Sequence, residues 1–193
     1  MTVIYPVLMQ VSVSGKALAG KERVVHLSEL ARRALSLSAE KSGVTLDRLD
    51  KDDRGAPLPF GGIHWSLSHK ETFVGGVAAT APVGIDIEKI KPCSDALFRK
   101  VGTDTEWALG GGSPEDHLFF RYWTAKEAVL KTSGAGFREF SHCRVRRIVD
   151  DKLLVLFYRD REWLVEHFYF DGHLAAVLKD GWDIVWTMAD GEL

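Results

Sequence analysis

The sequence contains few cysteines, no excess of positive charge and no long run of apolar residues. Its two cysteines, Cys93 and Cys143, have neither metal-binding spacing nor the pattern of a disulfide framework, so a reducing cytoplasm is the expected location. Lys and Arg total 25 against 27 Asp and Glu, and this net charge of −2 provides no overall basic field for nucleic acid. The apolar first residues have no basic leader and are too few to span a membrane, and no other stretch is long enough, so we expect no membrane association.

Signatures of several common enzyme classes are also missing. The sequence has no phosphate-binding loop, no dinucleotide fingerprint and no nucleophile elbow. Three glycines at 110–112 lack the spacing of a phosphate loop and predict a flexible connection. Hydrophobic residues at 46% and charged residues at 27% are typical of a globular protein. The length of 193 residues fits one domain or two small packed halves.

Hydrophobic periodicity predicts a mixture of helices and strands, with a turn over 14–20 and a loop over 50–62. The predicted helices cover residues 27–41, 95–101, about 105–109 and 115–132. The predicted strands cover the first residues up to 13, then 63–68, 73–79, 83–88, 139–149, 153–158, 163–170, 173–179 and 183–188. We therefore expect the α+β class.

Two short patterns recur at a similar offset along the chain. Residues 30–35 resemble 124–129, and residues 73–77 resemble 173–177, with helix before strand in both cases. Chance matching of short apolar patterns is one explanation. The other is a single domain made of two similar α+β halves, about 1–92 and 93–193, related by a pseudo-twofold with a ligand cleft between them.

A strand with two acidic residues is the first chemical signal. Asp86 and Glu88 lie two apart, so both point to one face of the strand while Ile85 and Ile87 point to the core. Two carboxylates on a rigid strand can share a hard cation, and Mg²⁺ prefers oxygen ligands that include substrate phosphate. An ordinary solvated face of an amphipathic strand would have the same pattern.

The long predicted helix carries a second signal. Trp123, Glu127 and Lys131 follow one another at intervals of four and share one stripe of the helix. A Glu–Lys pair at this spacing is commonly a weak surface ion pair. Here the pair continues an aromatic stripe that includes Phe119, which indicates a position at the boundary of the core. Such a glutamate can be a base or metal ligand, and such a lysine can hold phosphate.

Polar groups also cluster at the end of a predicted strand. Ser68, His69 and Lys70 bring a hydroxyl, an imidazole and an ammonium to one place, which fits a phosphate pocket. A single histidine is nevertheless more often structural than functional.

At this point the sequence resembles a known family. Val83-Gly-Ile-Asp-Ile-Glu-Lys and Phe120-Arg-Tyr-Trp-Thr-Ala-Lys-Glu-Ala-Val-Leu-Lys are similar to the signature of 4′-phosphopantetheinyl transferases. Trp65-Ser-Leu-Ser-His and Gly55-Ala-Pro resemble the Sfp-type branch in order and spacing. The resemblance extends from about residue 23 to 137. It implies the fold of that family, two α+β halves related by a pseudo-twofold.

The resemblance implies a Mg²⁺-dependent enzyme, a holo-[acyl-carrier-protein] synthase. Such an enzyme transfers the 4′-phosphopantetheine arm of coenzyme A to a serine of an acyl or peptidyl carrier protein and releases adenosine 3′,5′-bisphosphate. The carrier is expected to be a small acidic helical domain, and residues 98–109 with the following glycines are candidates for docking by position.

The resemblance also assigns roles to individual residues. Asp86, Glu88 and Glu127 would hold Mg²⁺ on the pyrophosphate, and Glu127 would take the serine proton. Lys131 would contact the phosphate. The residues expected to bind coenzyme A are Arg23, Arg54, Ser68, His69, Asp86 and Lys131.

The sequence departs from the family pattern in two places. Many relatives have a basic residue where this chain has Ala56, and Arg54 is expected to supply that charge instead. The basic stretch before Arg23 is also short. These departures favour an alternative, a non-catalytic module that binds coenzyme A or a carrier protein. A magnesium phosphohydrolase is a third hypothesis, but no dedicated His/Asp cluster for activating water is evident.

Overall fold

The computed structural model describes residues 2–111 and 115–191, so residues 112–114 of the predicted glycine connection lie outside it. In chain order the helices are α1 (Val13–Ala17), α2 (Gly20–Lys41), α3 (Asp95–Val101), α4 (Asp104–Ala108) and α5 (Asp116–Lys131), and a 3-10 helix covers Gly136–His142. The strands are β1 (Thr2–Ile4), β2 (Val7–Gln10), β3 (His64–His69), β4 (Phe73–Ala79), β5 (Ile85–Lys89), β6 (Arg144–Ile148), β7 (Leu153–Tyr158), β8 (Arg161–Phe170), β9 (His173–Leu178), β10 (Trp182–Ile184) and β11 (Thr187–Ala189). The predicted α+β class is confirmed.

Two sheets form most of the molecule. The first has the strand order β11-β2-β4-β3, and the second has the order β5-β9-β8-β7-β6. The second sheet is antiparallel throughout, with its β8–β9 hairpin closed at Asp171-Gly172, where both residues have positive φ. This is the turn that an Asp-Gly pair favours.

Each sheet is covered by one long helix. Helix α2 packs on β4, and Gly76 allows this because a Cβ there would lie 2.4 Å from the backbone nitrogen of Leu35. Helix α5 packs on β9 and β5. The glycine of the acidic motif, Gly84, has the same role, since a Cβ there would lie 1.9 Å from the carbonyl oxygen of Ala128.

The first and last strands differ from the sequence prediction in a matched way. One N-terminal strand was expected, but β1 and β2 are separate, and the single strand expected at 183–188 is divided into β10 and β11. β1 pairs in parallel with β10, and β2 pairs in parallel with β11. Both segments therefore pass from one sheet to the next together, at Tyr5–Pro6, where Pro6 offers no N–H to a ladder.

Two other local predictions were wrong. The turn expected over 14–20 is largely helical, because α1 forms after Ser12, whose side chain caps it, and α2 begins at Gly20 rather than near 27. The strand expected from residue 139 begins at Arg144, because the 3-10 helix occupies the residues before it.

The two sheets meet where β3 lies beside β5. The hydroxyl of Ser66 accepts a hydrogen bond from the backbone N–H of Ile85, and the hydroxyl of Ser68 accepts one from Ile87. Two serine side chains thus take the place of backbone-to-backbone hydrogen bonds along this edge of β5. These two bonds hold the acidic strand β5 against β3 of the first sheet.

The division into halves near residue 92 and the pseudo-twofold stay predictions. Strand pairing crosses that position in both directions, since β5 joins the second sheet and β11 joins the first. Over the residues that the structure describes, no helix has the length and hydrophobicity needed to cross a bilayer.

Candidate active site

The acidic strand β5 supplies two carboxylates. The side chains of Ile85 and Ile87 are completely buried in the core between the sheets, as the alternation predicts. Asp86 and Glu88 point the other way, toward α5, with side-chain exposures of 6% and 15%. Neither is a freely solvated surface group, so the solvated-face explanation does not apply.

Helix α5 brings its predicted stripe to the same place. Trp123, Glu127 and Lys131 line a cleft together with Asp86 and Glu88. The end of β3 completes the wall with residues 67–70. The structure therefore brings together the carboxylates, the lysine of the helix and the polar strand end, which are far apart in sequence.

Lys131 ties the two sheets to each other. Its ammonium donates to the carbonyl oxygen of Ile85 at 2.7 Å and to that of Leu67 at 3.3 Å. It also pairs with Asp86 Oδ1 at 2.8 Å. An ammonium has three hydrogens, and these three partners use them all. In this arrangement Lys131 positions Asp86 and links β3 to β5.

Ser68 acts on Asp86 from the other side. Its hydroxyl donates to Asp86 Oδ1 at 3.0 Å while it accepts from Ile87, so its hydrogen is not available to a ligand. Asp86 Oδ2, in contrast, is buried and has no hydrogen-bond partner among the described residues. A buried carboxylate oxygen without a partner is costly unless something else neutralises it.

Glu88 is held at the cleft by two side chains. Lys70 Nζ lies 2.7 Å from Glu88 Oε1, and Trp123 also hydrogen-bonds to Glu88. Burial raises the pKa of Glu88, and the negative charge of Asp86 raises it further, while Lys70 and Trp123 oppose that effect.

Burial and neighbouring charges also shift the pKa values of Glu127 and His69. Burial raises the pKa of Glu127, and the nearby charge of Asp86 adds to this. Burial lowers the pKa of His69, and the positive charges of Lys131, Lys70 and Lys51 lower it further. Glu127 thus favours holding a proton more than an ordinary glutamate does, while His69 favours the neutral form.

The site fits a divalent cation in part. As they stand, the described residues include no group of three His, Cys, Asp or Glu side chains that could hold a metal ion. Lysines are bonded to Asp86 and Glu88 instead. However, the unpartnered Asp86 Oδ2 and the carboxylates crowded beside it are suitable for a hard cation, and Mg²⁺ needs only one or two carboxylates when phosphate and water supply the rest.

A second cleft continues from the first along α5. Glu127, Lys131 and Leu67 line both, and the second extends to Lys51, Arg54 and Gly55 in the loop before β3. That loop is fixed by Asp52, whose Oδ1 accepts from the backbone N–H groups of residues 54 and 56. A basic wall formed by Lys51 and Arg54 therefore lies next to the acidic cleft.

Two further observations concern this loop and Arg23, whose expected contact with coenzyme A stays a prediction. The side chain of Ala56 faces Gly134, where an added Cβ would lie 2.7 Å from that of Ala56. Arg23 lines neither of these two clefts over the part of the chain that the structure describes. It pairs with Glu71 at 3.2 Å, on the turn that follows Lys70.

Sequence reasoning did not single out Lys51, Lys126 or Glu106. Lys126 and Glu106 form a buried ion pair behind the site, at 2.7 Å. Lys126 stands next to Glu127 in the sequence but points to the core side of α5, and no local pattern identifies its partner on α4. The bond of Lys70 to Glu88 was also not predicted, although Lys70 itself was.

Comparison with known proteins identifies the family of the chain. The family model of the 4′-phosphopantetheinyl transferase superfamily matches residues 82–178, just over half of the chain. The chain belongs to this superfamily. The match includes Asp86, Glu88, Glu127 and Lys131, and it begins after β3.

Sfp-type relatives are similar over part of their length. A 4′-phosphopantetheinyl transferase of Nostoc sp., HetI, is 31% identical over 109 residues, which is 51% of this chain and 46% of that protein. The 4′-phosphopantetheinyl transferase psf-1 of Bacillus pumilus is 33% identical over 51% of this chain and 44% of its own. Sfp of Bacillus subtilis is 32% identical over 38% of this chain and 34% of its own. The alignments thus span about half, or less, of the relatives' length.

Proposed function

We propose that the protein transfers the 4′-phosphopantetheine arm of coenzyme A to a serine of an acyl or peptidyl carrier protein and releases adenosine 3′,5′-bisphosphate. Membership of the superfamily supports this, as does the cleft in which Asp86, Glu88, Glu127 and Lys131 converge. The single observation that carries the proposal is this convergence, with Asp86 Oδ2 buried and without a partner among residues 2–111 and 115–191.

The two clefts suggest how coenzyme A would lie. The acidic cleft would receive the pyrophosphate, and the adjoining cleft with Lys51 and Arg54 would receive the adenosine end with its 3′-phosphate. His69 and Lys70 line the acidic cleft, and Lys131 lines both clefts. Ala56 contributes no charge, and Lys51 with Arg54 compensates for that in the same loop.

Glu127 is the proposed general base. In the reaction the serine oxygen forms a bond to the phosphorus that carries pantetheine, and the bond from that phosphorus to the bridging oxygen breaks. The serine proton passes to Glu127, and the electron pair leaves with adenosine 3′,5′-bisphosphate. Glu127 lines the acidic cleft beside Asp86, where a serine hydroxyl would approach the pyrophosphate.

Asp86, Glu88 and Glu127 would hold Mg²⁺. The ion would supply positive charge at the pyrophosphate, which phosphoryl transfer depends on. The chain's own contribution is position: Ser68 and Lys131 fix Asp86 Oδ1, so the free Oδ2 has one defined direction. Preorganised charge of this kind needs no rearrangement at the moment of reaction.

The direct test is mass spectrometry of apo carrier proteins incubated with the protein, coenzyme A and Mg²⁺. We expect the mass of at least one carrier in a panel of fatty-acid, polyketide and peptide carriers to increase by one phosphopantetheine arm. If no carrier gains this mass while a known transferase modifies the same panel, the proposed activity is wrong.

One observation favours the non-catalytic alternative. Lys131 pairs with Asp86, and Lys70 pairs with Glu88. A binding module could keep both pairs, whereas an enzyme that uses these carboxylates for a metal would have to break them. Calorimetry separates the two functions. A binding module would take up coenzyme A equally well with and without Mg²⁺ and would transfer nothing, whereas the proposed transferase binds it more tightly with Mg²⁺.

A further inference from the structure

The two lysines of the acidic cleft differ in how many ammonium hydrogens are already used in hydrogen bonds. Lys131 donates to Leu67 O, Ile85 O and Asp86 Oδ1, which uses all three hydrogens of its ammonium. Lys70 bonds to Glu88 Oε1 at 2.7 Å, and its side chain is 37% exposed, against 26% for Lys131. Over the described residues, no further acceptor lies on the Lys70 ammonium. Of these two lysines, Lys70 is therefore the one that can bind an incoming anion without breaking the bonds that link β3 to β5.

The fold sets the position of Lys70. The side chain stands at the end of β3, whose backbone is fixed by the bond from Lys70 N to Phe73 O at 2.8 Å. Its position is thus set by the sheet, while its ammonium reaches the cleft.

We propose that Lys70 binds the pyrophosphate of coenzyme A and that it exchanges its bond to Glu88 for bonds to the phosphate oxygens. The identity of the anion rests on the proposed function. Lys70 pairs with Glu88. When the pyrophosphate enters, the ammonium turns from Glu88 to the phosphate oxygens, and Glu88 would then be free to hold a divalent cation. One side chain thus competes with the cation in the free protein and assists the anion in the complex.

A single substitution tests this because it acts on the two ligands in opposite directions. In Lys70→Met the stem is retained and the charge is lost. We expect the affinity for coenzyme A to fall about tenfold, since one charge-assisted hydrogen bond is lost. Dephospho-coenzyme A, which keeps the pyrophosphate and lacks the 3′-phosphate, should lose the same factor. The affinity for Mn²⁺ alone should rise severalfold, because no tethered cation competes for Glu88.

Lys89→Met is the matched control. Lys89 is the residue after Glu88 on β5, is exposed, and lies on the opposite face of the strand. Its substitution should change neither the coenzyme A affinity nor the Mn²⁺ affinity. Calorimetry of the full chain measures both ligands, and neither measurement depends on turnover.

The outcomes are distinct. An unchanged affinity of Lys70→Met for coenzyme A would overturn the proposal, and so would a loss of affinity for Mn²⁺, which a disturbed site would produce. A loss confined to coenzyme A, with dephospho-coenzyme A unaffected, would place Lys70 at the 3′-phosphate and overturn the pyrophosphate assignment. A wild-type protein that binds coenzyme A through Lys70 but modifies no carrier would instead contradict the transferase function alone.

Discussion

Asp86 and Glu106 are two carboxylates with the same side-chain exposure, 6%, and with very different surroundings. Each oxygen of Glu106 accepts two hydrogen bonds: Oε1 from Lys126 and the backbone of Val145, and Oε2 from the backbone and hydroxyl of Thr103. Asp86 receives two hydrogen bonds on Oδ1, whereas its buried Oδ2 receives none from the part of the chain that the structure describes. Burial alone therefore does not distinguish them.

We interpret this contrast as the difference between a structural charge and one with a proposed function. A satisfied carboxylate can only hold elements together, and Glu106 connects α4, α5 and β6. A carboxylate with an unsatisfied buried oxygen reduces stability, and natural proteins accept such local costs at functional sites. The lysines show the same contrast, since Lys126 is 1% exposed behind the site and Lys70 is 37% exposed within it.

The strongest response is expected at Glu127, which lies next to Lys126 in the sequence and on the functional side of α5. Glu127→Gln should reduce the rate of transfer by about 10²–10⁴-fold, because a general base is lost while the shape of the side chain is kept. Mass spectrometry of the carrier over time measures the rate. The thermal unfolding midpoint should stay near that of the wild type. Normal turnover of a folded variant would exclude Glu127 as the base.

Paired substitutions of the two carboxylates should give opposite results. Asp86→Asn should reduce transfer by about 100-fold or more, through lost charge at the pyrophosphate. It should destabilise the protein less than Glu106→Gln does, because Lys131 is partly exposed and keeps its bonds to the carbonyl oxygens of Leu67 and Ile85. Glu106→Gln should leave Lys126 as an uncompensated buried charge and destabilise the protein by about 3–5 kcal/mol.

Both variants are compared by urea unfolding and by the transfer rate per folded molecule. These measurements test whether one substitution mainly lowers activity and the other mainly lowers stability. The rate of Glu106→Gln should remain within about threefold of the wild type where the protein is folded, because breaking a buried ion pair behind the site weakens the fold without removing a reacting group. If both variants lose stability equally, or both lose activity equally, the distinction between the two carboxylates is wrong.

The sequence predicted the parts of the site that depend on local pattern. The two-residue alternation of β5 separated Asp86 from Ile85, and the four-residue spacing of α5 aligned Glu127 with Lys131. It did not predict which oxygen of Asp86 would be free, because Ser68 and Lys131 come from other elements. Nor did it predict the split of the outer strands, which depends on two distant segments running side by side.

A third buried polar group extends the comparison to pH. His167 is buried, and its ring nitrogens each lie 3.0 Å from a carbonyl oxygen, those of Lys152 and Arg121. Burial lowers its pKa to about 4, and the charge of Arg121 contributes to this. The unfolded chain binds the proton more readily than the folded one, so stability is lost as the pH falls from about 6.5 toward 4.

The loss attributable to His167 should be about 3 kcal/mol at pH 4 or below, from the difference between its folded and unfolded pKa values. Urea unfolding at several pH values measures it. His167→Gln should flatten that part of the pH profile, although it will lower stability near neutral pH. An unchanged slope in the variant would show that other groups are responsible for the acid sensitivity.

The smallest change in stability is expected from a solvent-exposed ion pair. Arg48 and Asp50 lie 2.6 Å apart, as close as the buried pairs, but their side chains are 61% and 48% exposed. Because solvent screens both charges, Arg48→Ala should change the free energy of unfolding by less than about 0.5 kcal/mol. Urea unfolding of this variant beside Glu106→Gln tests whether the surroundings of a charge, rather than the length of its ion pair, decide its effect. A loss near that of Glu106→Gln would contradict this, because distance would then be the better guide to which charges hold the fold.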